Sequence, residues 1–169
     1  MTIDDRQTVF NSAPKFYGGL SNNLNYKNWN LDFLFQFVKQ QGLSEQIYYP
    51  TAGIFSNQPA AVLNHFPESN DPEATQLYTS GNNASVFTAQ DYYIQSDAMI
   101  VDASYIRLKS LSISYKIPVS QIKISSAKVW LQGQNLLTIT NYEGVDPETR
   151  SIYYLPPLRQ LTLGLQVTF

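Results

Sequence analysis

Leu161-Thr162-Leu163-Gly164-Leu165-Gln166-Val167-Thr168-Phe169 places an apolar residue at every odd position and a polar residue or glycine at every even one. Successive side chains of a strand point to opposite faces, so such a run presents one apolar and one polar face. In a chain that is 43% hydrophobic, a fixed parity of this length arises by chance in roughly one window in six hundred. Only one such window ends at Phe169, so the run predicts a strand and, with what lies upstream, an all-β fold.

The alternation recurs. Trp29, Leu31, Phe33, Phe35 and Phe37 share one parity, and before them Leu20, Leu24 and Tyr26 alternate with Ser21, Asn23 and Asn25. Lys27-Asn28 between these runs suits a tight hairpin. Leu111, Ile113 and Tyr115 alternate with Ser110, Ser112 and Ser114, and Ala127, Val129, Leu131, Leu137 and Ile139 form a further row. Asn135 interrupts that row, and Gly133 beside it fits a bulge. The expectation is five antiparallel strands at 16–26, 29–39, 104–116, 126–141 and 157–169, with no helix. Lys27-Asn28 and 117–125 are short connections, whereas 40–103 and 142–156 are long.

Composition narrows the function. Charged residues make up 14% of the 169, and aromatics another 14%. A net charge of −2 provides no basic footprint for nucleic acid. Without cysteine there is no disulfide or thiolate metal site. No apolar run is long enough for a transmembrane helix, and Met1-Thr2-Ile3-Asp4-Asp5-Arg6 has no apolar signal-peptide core.

The apolar faces meet either lipid or a second sheet. Runs of nine residues or more match the roughly 9–11 residues of a tilted membrane strand better than the usual soluble strand of about 5–6. Short connections alternating with long ones are the pattern of outer-membrane barrels. Tyr26, Trp29 and Tyr115 fall beside short connections, and Tyr105, Tyr142, Tyr153 and Tyr154 at the opposite ends, as two aromatic girdles would. Arg107 is the test, because it shares parity with Leu111 and Ile113. Either it faces lipid about 20 Å up an apolar band about 25 Å tall, near the interface, or a bulge near Lys109-Ser110 turns Ile106 and Leu108 outward instead.

Several segments, in order, resemble the C-terminal end of SusC/RagA-like TonB-dependent transporters. They are Asp5-Arg6-Gln7-Thr8-Val9, Pro14 to Leu20, Tyr26 to Leu31, Asp102 to Leu111 with Tyr115, Gly133 to Thr140, Tyr142 to Glu148, and Leu163 to Phe169. The resemblance implies C-terminal strands of a transmembrane β-barrel, about 22-stranded when complete. It also implies an N-terminal plug, absent from this chain, and energy from the TonB system through an N-terminal box likewise absent. Glycan or peptide fragments would be imported beneath a SusD-like surface lipoprotein. Further implied partners are the remainder of the barrel, the barrel-insertion machinery and outer-membrane lipid of a Gram-negative bacterium. The chain is expected to be one segment, residues 1–169, of such a barrel. Counting back from a periplasmic Phe169 makes 142–156 and 40–103 extracellular, and 117–125 and Lys27-Asn28 periplasmic. The alternative is a soluble, secreted β-sandwich that binds glycans.

Residues with chemical potential are few. His65 is the only histidine and reads as incidental. Asp146 and Glu148, in Asp-Pro-Glu, read as solvated acids of a turn. Asp4 and Asp5 lack the spacing of a calcium loop. No nucleophile elbow, phosphate loop or metal cluster is present in the sequence, so the expectation is no enzyme, no cofactor and no metal. Leu161, Leu163, Leu165, Val167 and Phe169 are the expected barrel-assembly signal. Tyr48, Tyr49, Tyr92, Tyr93, Tyr153 and Tyr154 are the candidate contacts for cargo or the lipoprotein lid, because aromatic faces bind sugars and peptides by apolar contact.

Overall fold

The structure, a computed structural model, describes residues 10–60, 79–119 and 124–169. His65, Asp4, Asp5 and the segment Asp5 to Val9 lie outside the described residues, as does part of the connection 117–125. The chain divides into two compact units, one centred on 42–101 and the other made of 12–41 and 102–169.

The second unit is an antiparallel meander. Strands β1 (Phe16–Tyr26), β2 (Trp29–Lys39), β5 (Tyr105–Ile117), β6 (Ser126–Thr140) and β7 (Gln160–Thr168) form one five-stranded sheet in that order. Lys27, with φ 53°, makes the tight turn between β1 and β2. The last strand begins at Gln160 rather than at 157, because Pro156 and Pro157 have no N–H to give a ladder.

Register decides the faces. Leu24, Leu31, Ile113, Leu131 and Leu163 form one row across all five strands, and Tyr26, Trp29, Tyr115, Val129 and Leu165 form the next. The Trp29 and Tyr115 rings meet at 4.7 Å between centroids. The opposite face carries Asn23, Asp32, Ser112, Gln132 and Thr162 in one row. On the apolar face Leu161, Leu163 and Leu165 are 70%, 75% and 65% exposed, so no described residue of this unit covers it there. A β-sandwich would pack a second sheet there, and the described residues of this unit hold none.

Glycines make room where side chains crowd the sheet. A Cβ on Gly18 would come within 2.6 Å of the Phe37 ring, and one on Gly164 would enter the Trp130 indole.

A bulge interrupts the centre. Leu34 pairs with Ser110 and Phe35 with Leu108, leaving Lys109 as an extra residue in β5. Against β6, Leu108 pairs with Leu137 and Ser110 with Gln134, so Asn135 and Leu136 together oppose Lys109. Asn135 takes φ 51°, a left-handed conformation asparagine tolerates, and its amide donates to the Leu158 carbonyl at 3.1 Å. The row of odd residues in β2 therefore continues in β5 as Leu111, then Leu108 and Ile106. Of the two outcomes for Arg107, the bulge near Lys109-Ser110 is the one realised.

The described residues of the first unit are irregular with one helix. The expectation of no helix is corrected by α1 (Ala84–Ile94), capped by Asn83, whose side chain accepts from the N–H groups of Ser85 and Val86. It buries no residue, so no apolar stripe announced it. Single 3-10 turns span Glu45–Tyr48 and Asp97–Met99. Where the long connection leaves and rejoins the sheet, the short strands β3 (Gln41–Leu43) and β4 (Ile100–Asp102) pair.

Candidate functional site: the charged face of the sheet

The bulge places Arg107 and Lys109 together on the polar face, since residue 109 is added between two residues of one parity. Thr138 is directly opposite Arg107 on β6. Arg107 is 1% exposed, and every arm of its guanidinium is used. Its Nε donates to Thr138 Oγ1 at 2.9 Å, Nη1 to Glu148 Oε2 at 2.5 Å and Nη2 to Asp146 Oδ2 at 2.5 Å. Lys109 Nζ reaches both oxygens of Glu148 at 3.0 Å. The Tyr105 ring lies 5.1 Å from the Arg107 guanidinium carbon, close enough for a cation–π contact.

Asp146 is therefore not a solvated acid, which corrects the sequence expectation, whereas Glu148 is ion-paired but keeps 35% of its side chain exposed. Asp146 is 4% exposed. Its Oδ1 accepts from the N–H groups of Glu148 at 2.9 Å and Thr149 at 3.2 Å, which curls Asp-Pro-Glu into a turn. Two further clamps hold this segment down. Gln40 Nε2 donates to the Pro147 carbonyl at 2.6 Å, and Arg150 Nη1 donates to the carbonyls of Ser12 at 2.7 Å and Gln41 at 2.9 Å. Residues 142–150 thus fold back over the polar face at one end of the sheet. Tyr105 and Tyr142, placed in a girdle by sequence, are instead buried beneath this fold at 5% and 7% exposure. The Arg107 row and the Tyr105 row both moved to the polar face with the bulge.

Between the folded segment and β6 lies a cavity of about 400 Å³, lined among others by Asn135, Thr138, Pro147, Pro156, Pro157 and Arg159. It is a concave feature of the polar face.

At the neck of the long connection, Lys39 Nζ contacts Asp102 Oδ2 at 2.7 Å. Asp102 also accepts from the Ser104 hydroxyl and, at 2.9 Å, from the Ser104 N–H. The Lys39 ammonium, then Ser104, hold its carboxyl down at about 2.

The candidate aromatic contacts lie on different elements. Tyr48 and Tyr49 follow one another at the end of a 3-10 turn, each 39% exposed, and Tyr92 and Tyr93 lie on α1. Burial and the neighbouring Glu45 raise the Tyr49 phenol. Tyr153 and Tyr154 stand on the other unit, 75% and 68% exposed. The terminal residues Leu161, Leu163, Leu165 and Val167 line the free edge strand on its apolar side, and Phe169 follows at 87% exposure. Among the described residues no group of histidine, cysteine or acids could hold a metal ion.

An antiparallel sheet with one exposed apolar face and one wet face is the wall of a β-barrel. The comparisons with known proteins agree. No family model matches the chain. The chain is 27% identical over 183 residues to TonB-dependent receptor P3 of Formosa agariphila, covering 98% of the chain and 17% of that receptor. It is 29% identical over 182 residues to TonB-dependent receptor SusC of Bacteroides thetaiotaomicron, covering 99% of the chain and 17% of SusC. The RagAB peptide importer in its closed-closed state superposes with a TM-score of 0.72 at 26% identity, over 96% of the chain and 18% of that structure. A further RagAB peptide transporter structure, 24% identical, shares the fold with a TM-score of 0.73, over 100% of the chain and 19% of that structure. The chain fits a C-terminal segment of a SusC/RagA-like TonB-dependent receptor. It spans 17–18% of the length of the curated relatives it matches.

Proposed function

We propose that the chain forms part of the wall of an outer-membrane, TonB-dependent nutrient importer and does no chemistry of its own. The apolar face meets lipid and the polar face lines the lumen. In this reading the strands complete a barrel of about 22 with a plug and the remaining strands, which pair with the free edges of β1 and β7. The connections 40–103 and 142–156 are extracellular, and Lys27-Asn28 and 117–125 periplasmic. A SusD-like lipoprotein covers the outer side, and cargo is a glycan or peptide fragment. Tyr48, Tyr49, Tyr92, Tyr93, Tyr153 and Tyr154 are proposed contacts for cargo or lid. Leu161, Leu163, Leu165, Val167 and Phe169 are the signal read by the barrel-insertion machinery.

The observation that carries the reading is the exposed apolar face spanning five strands, for which this unit supplies no cover. Leaving so much apolar surface in water opposes folding, whereas in a bilayer it is the favourable arrangement. The importer relatives add support for transport. The test removes Phe169 from the full-length protein and measures the heat-modifiable, membrane-inserted fraction. A clear fall is expected, and unchanged assembly removes the sorting role. A protein that is monodisperse and melts cooperatively without detergent overturns the membrane reading itself.

A further inference from the structure

The cavity over β6 holds two positive side chains in different states. Arg107 is spent on Thr138, Asp146 and Glu148. Arg159 lines the same cavity and has no ion pair or hydrogen bond among the described residues. Asp146 also lines the cavity, with its carboxylate held by Arg107 and by the N–H groups of Glu148 and Thr149. Thr138 Oγ1 accepts from Arg107, which leaves its own hydroxyl proton free to donate. Pro147, Pro156 and Pro157 carry no N–H and form a rigid apolar wall. Asn135 uses one amide N–H on the Leu158 carbonyl and keeps its second N–H to donate. What the cavity offers is an uncompensated guanidinium, a hydroxyl donor and a stiff apolar side, over a floor whose own charges already cancel.

A guanidinium fork with a neighbouring O–H donor matches a group that only accepts, and a planar monoanion fits it best. We propose that this cavity is a subsite for a carboxylate on the transported cargo, with Arg159 as the recognising cation. The proposal rests on the importer reading, which makes the polar face the lumen. The Arg107 network fixes the floor of the cavity, so the subsite exists before cargo arrives and binding orders little. A carboxylate reaches it from either of two sources, an acidic peptide or a uronic-acid oligosaccharide.

The experiment measures binding to the full-length protein in detergent micelles by calorimetry. One arm compares triglutamate with triglutamine, and the other compares a galacturonate trimer with the neutral galactose trimer. In the arm that holds the cargo class, the acidic probe is expected to bind more tightly than its neutral counterpart, less so as salt is added. Arg159→Gln is expected to cut that preference about tenfold, the scale of one charge-assisted contact at a partly exposed site. Arg159→Lys is expected to retain part of it, because charge survives while the fork is lost. Equal binding of acidic and neutral probes in both arms, or a preference untouched by Arg159→Gln, overturns the proposal. An acidic side chain from elsewhere in the protein seated on Arg159 would produce that second result. Failure of the importer reading shows separately, as loss of detergent dependence and of the heat-modifiable band.

Discussion

Arg107 and Asp146 lie 39 residues apart in the chain and meet at 2.5 Å, both nearly inaccessible. The contact ties the polar face of β5 to the segment after β6, and Glu148 and Lys109 extend it into a four-residue network. Taking an arginine out of water is costly, and what offsets the cost here is that each of its three guanidinium nitrogens donates, to two acids and a threonine. Such a network is least tolerant of losing a single member, because the partner is then left charged and buried.

Arg107→Met is therefore expected to destabilise the folded barrel by about 3–5 kcal/mol, the scale of an orphaned buried charge. The triple variant Arg107→Met, Asp146→Leu, Glu148→Met should recover a large part, since no charge is then left alone. Denaturant unfolding of the detergent-solubilised full-length protein, followed by the heat-modifiable band, checks both. Equal stability of single and triple variants would show that the charges are not coupled.

Inserting an alanine between Leu34 and Phe35 gives Lys109 a partner in β2, which removes the bulge and restores strict alternation to β5. Arg107 and Tyr105 would then turn to the apolar face and Ile106 and Leu108 to the polar one. Membrane assembly is expected to fail or fall severely. Lys109→Gly keeps the bulge and loses only the exposed side of the network, so it should assemble well. Surface-exposed protein counted on intact cells distinguishes the two variants.

The Lys39–Asp102 pair makes a pH prediction. The carboxyl is held at about 2 in the folded state, below its ordinary value of 3.8. A depressed acid contributes stability that is fully present above its unfolded pKa and is lost as pH falls through the folded one. The neck joining β3 and β4 to the sheet should loosen between about pH 4 and pH 2, by well under 1 kcal/mol because both side chains are about half exposed. Hydrogen exchange at the Ser104 N–H, which Asp102 accepts, reads this directly. Asp102→Asn should flatten the response, and an unchanged profile would remove the pair as its cause.

Much of the sheet is legible in the sequence. Period two is a local property, so Trp29–Phe37 and Leu161–Phe169 announce strands without knowledge of any neighbour. Helix α1 escaped because Ala84–Ile94 is short and buries nothing; its one signal was Asn83 in a capping position. The charged site escaped for a different reason. Asp146-Pro147-Glu148 looks like any polar turn until its partner, far away in the chain, is known. Arg107 on an apparently apolar row was the available clue, and it pointed to a lipid-facing arginine near the interface, with a bulge as the alternative.

Alternation within each strand, the placement of turns and the contrast between an apolar and a wet face were determined by the sequence alone, because each depends on residues within a few positions of one another. Which way Arg107 faces was decided only by the tertiary structure. One residue of β5 has no partner in β2, and the parity of every residue beyond it depends on where that gap falls. Register is set between strands, so no reading of β5 by itself could place the guanidinium over Asp146 or open the cavity beside it.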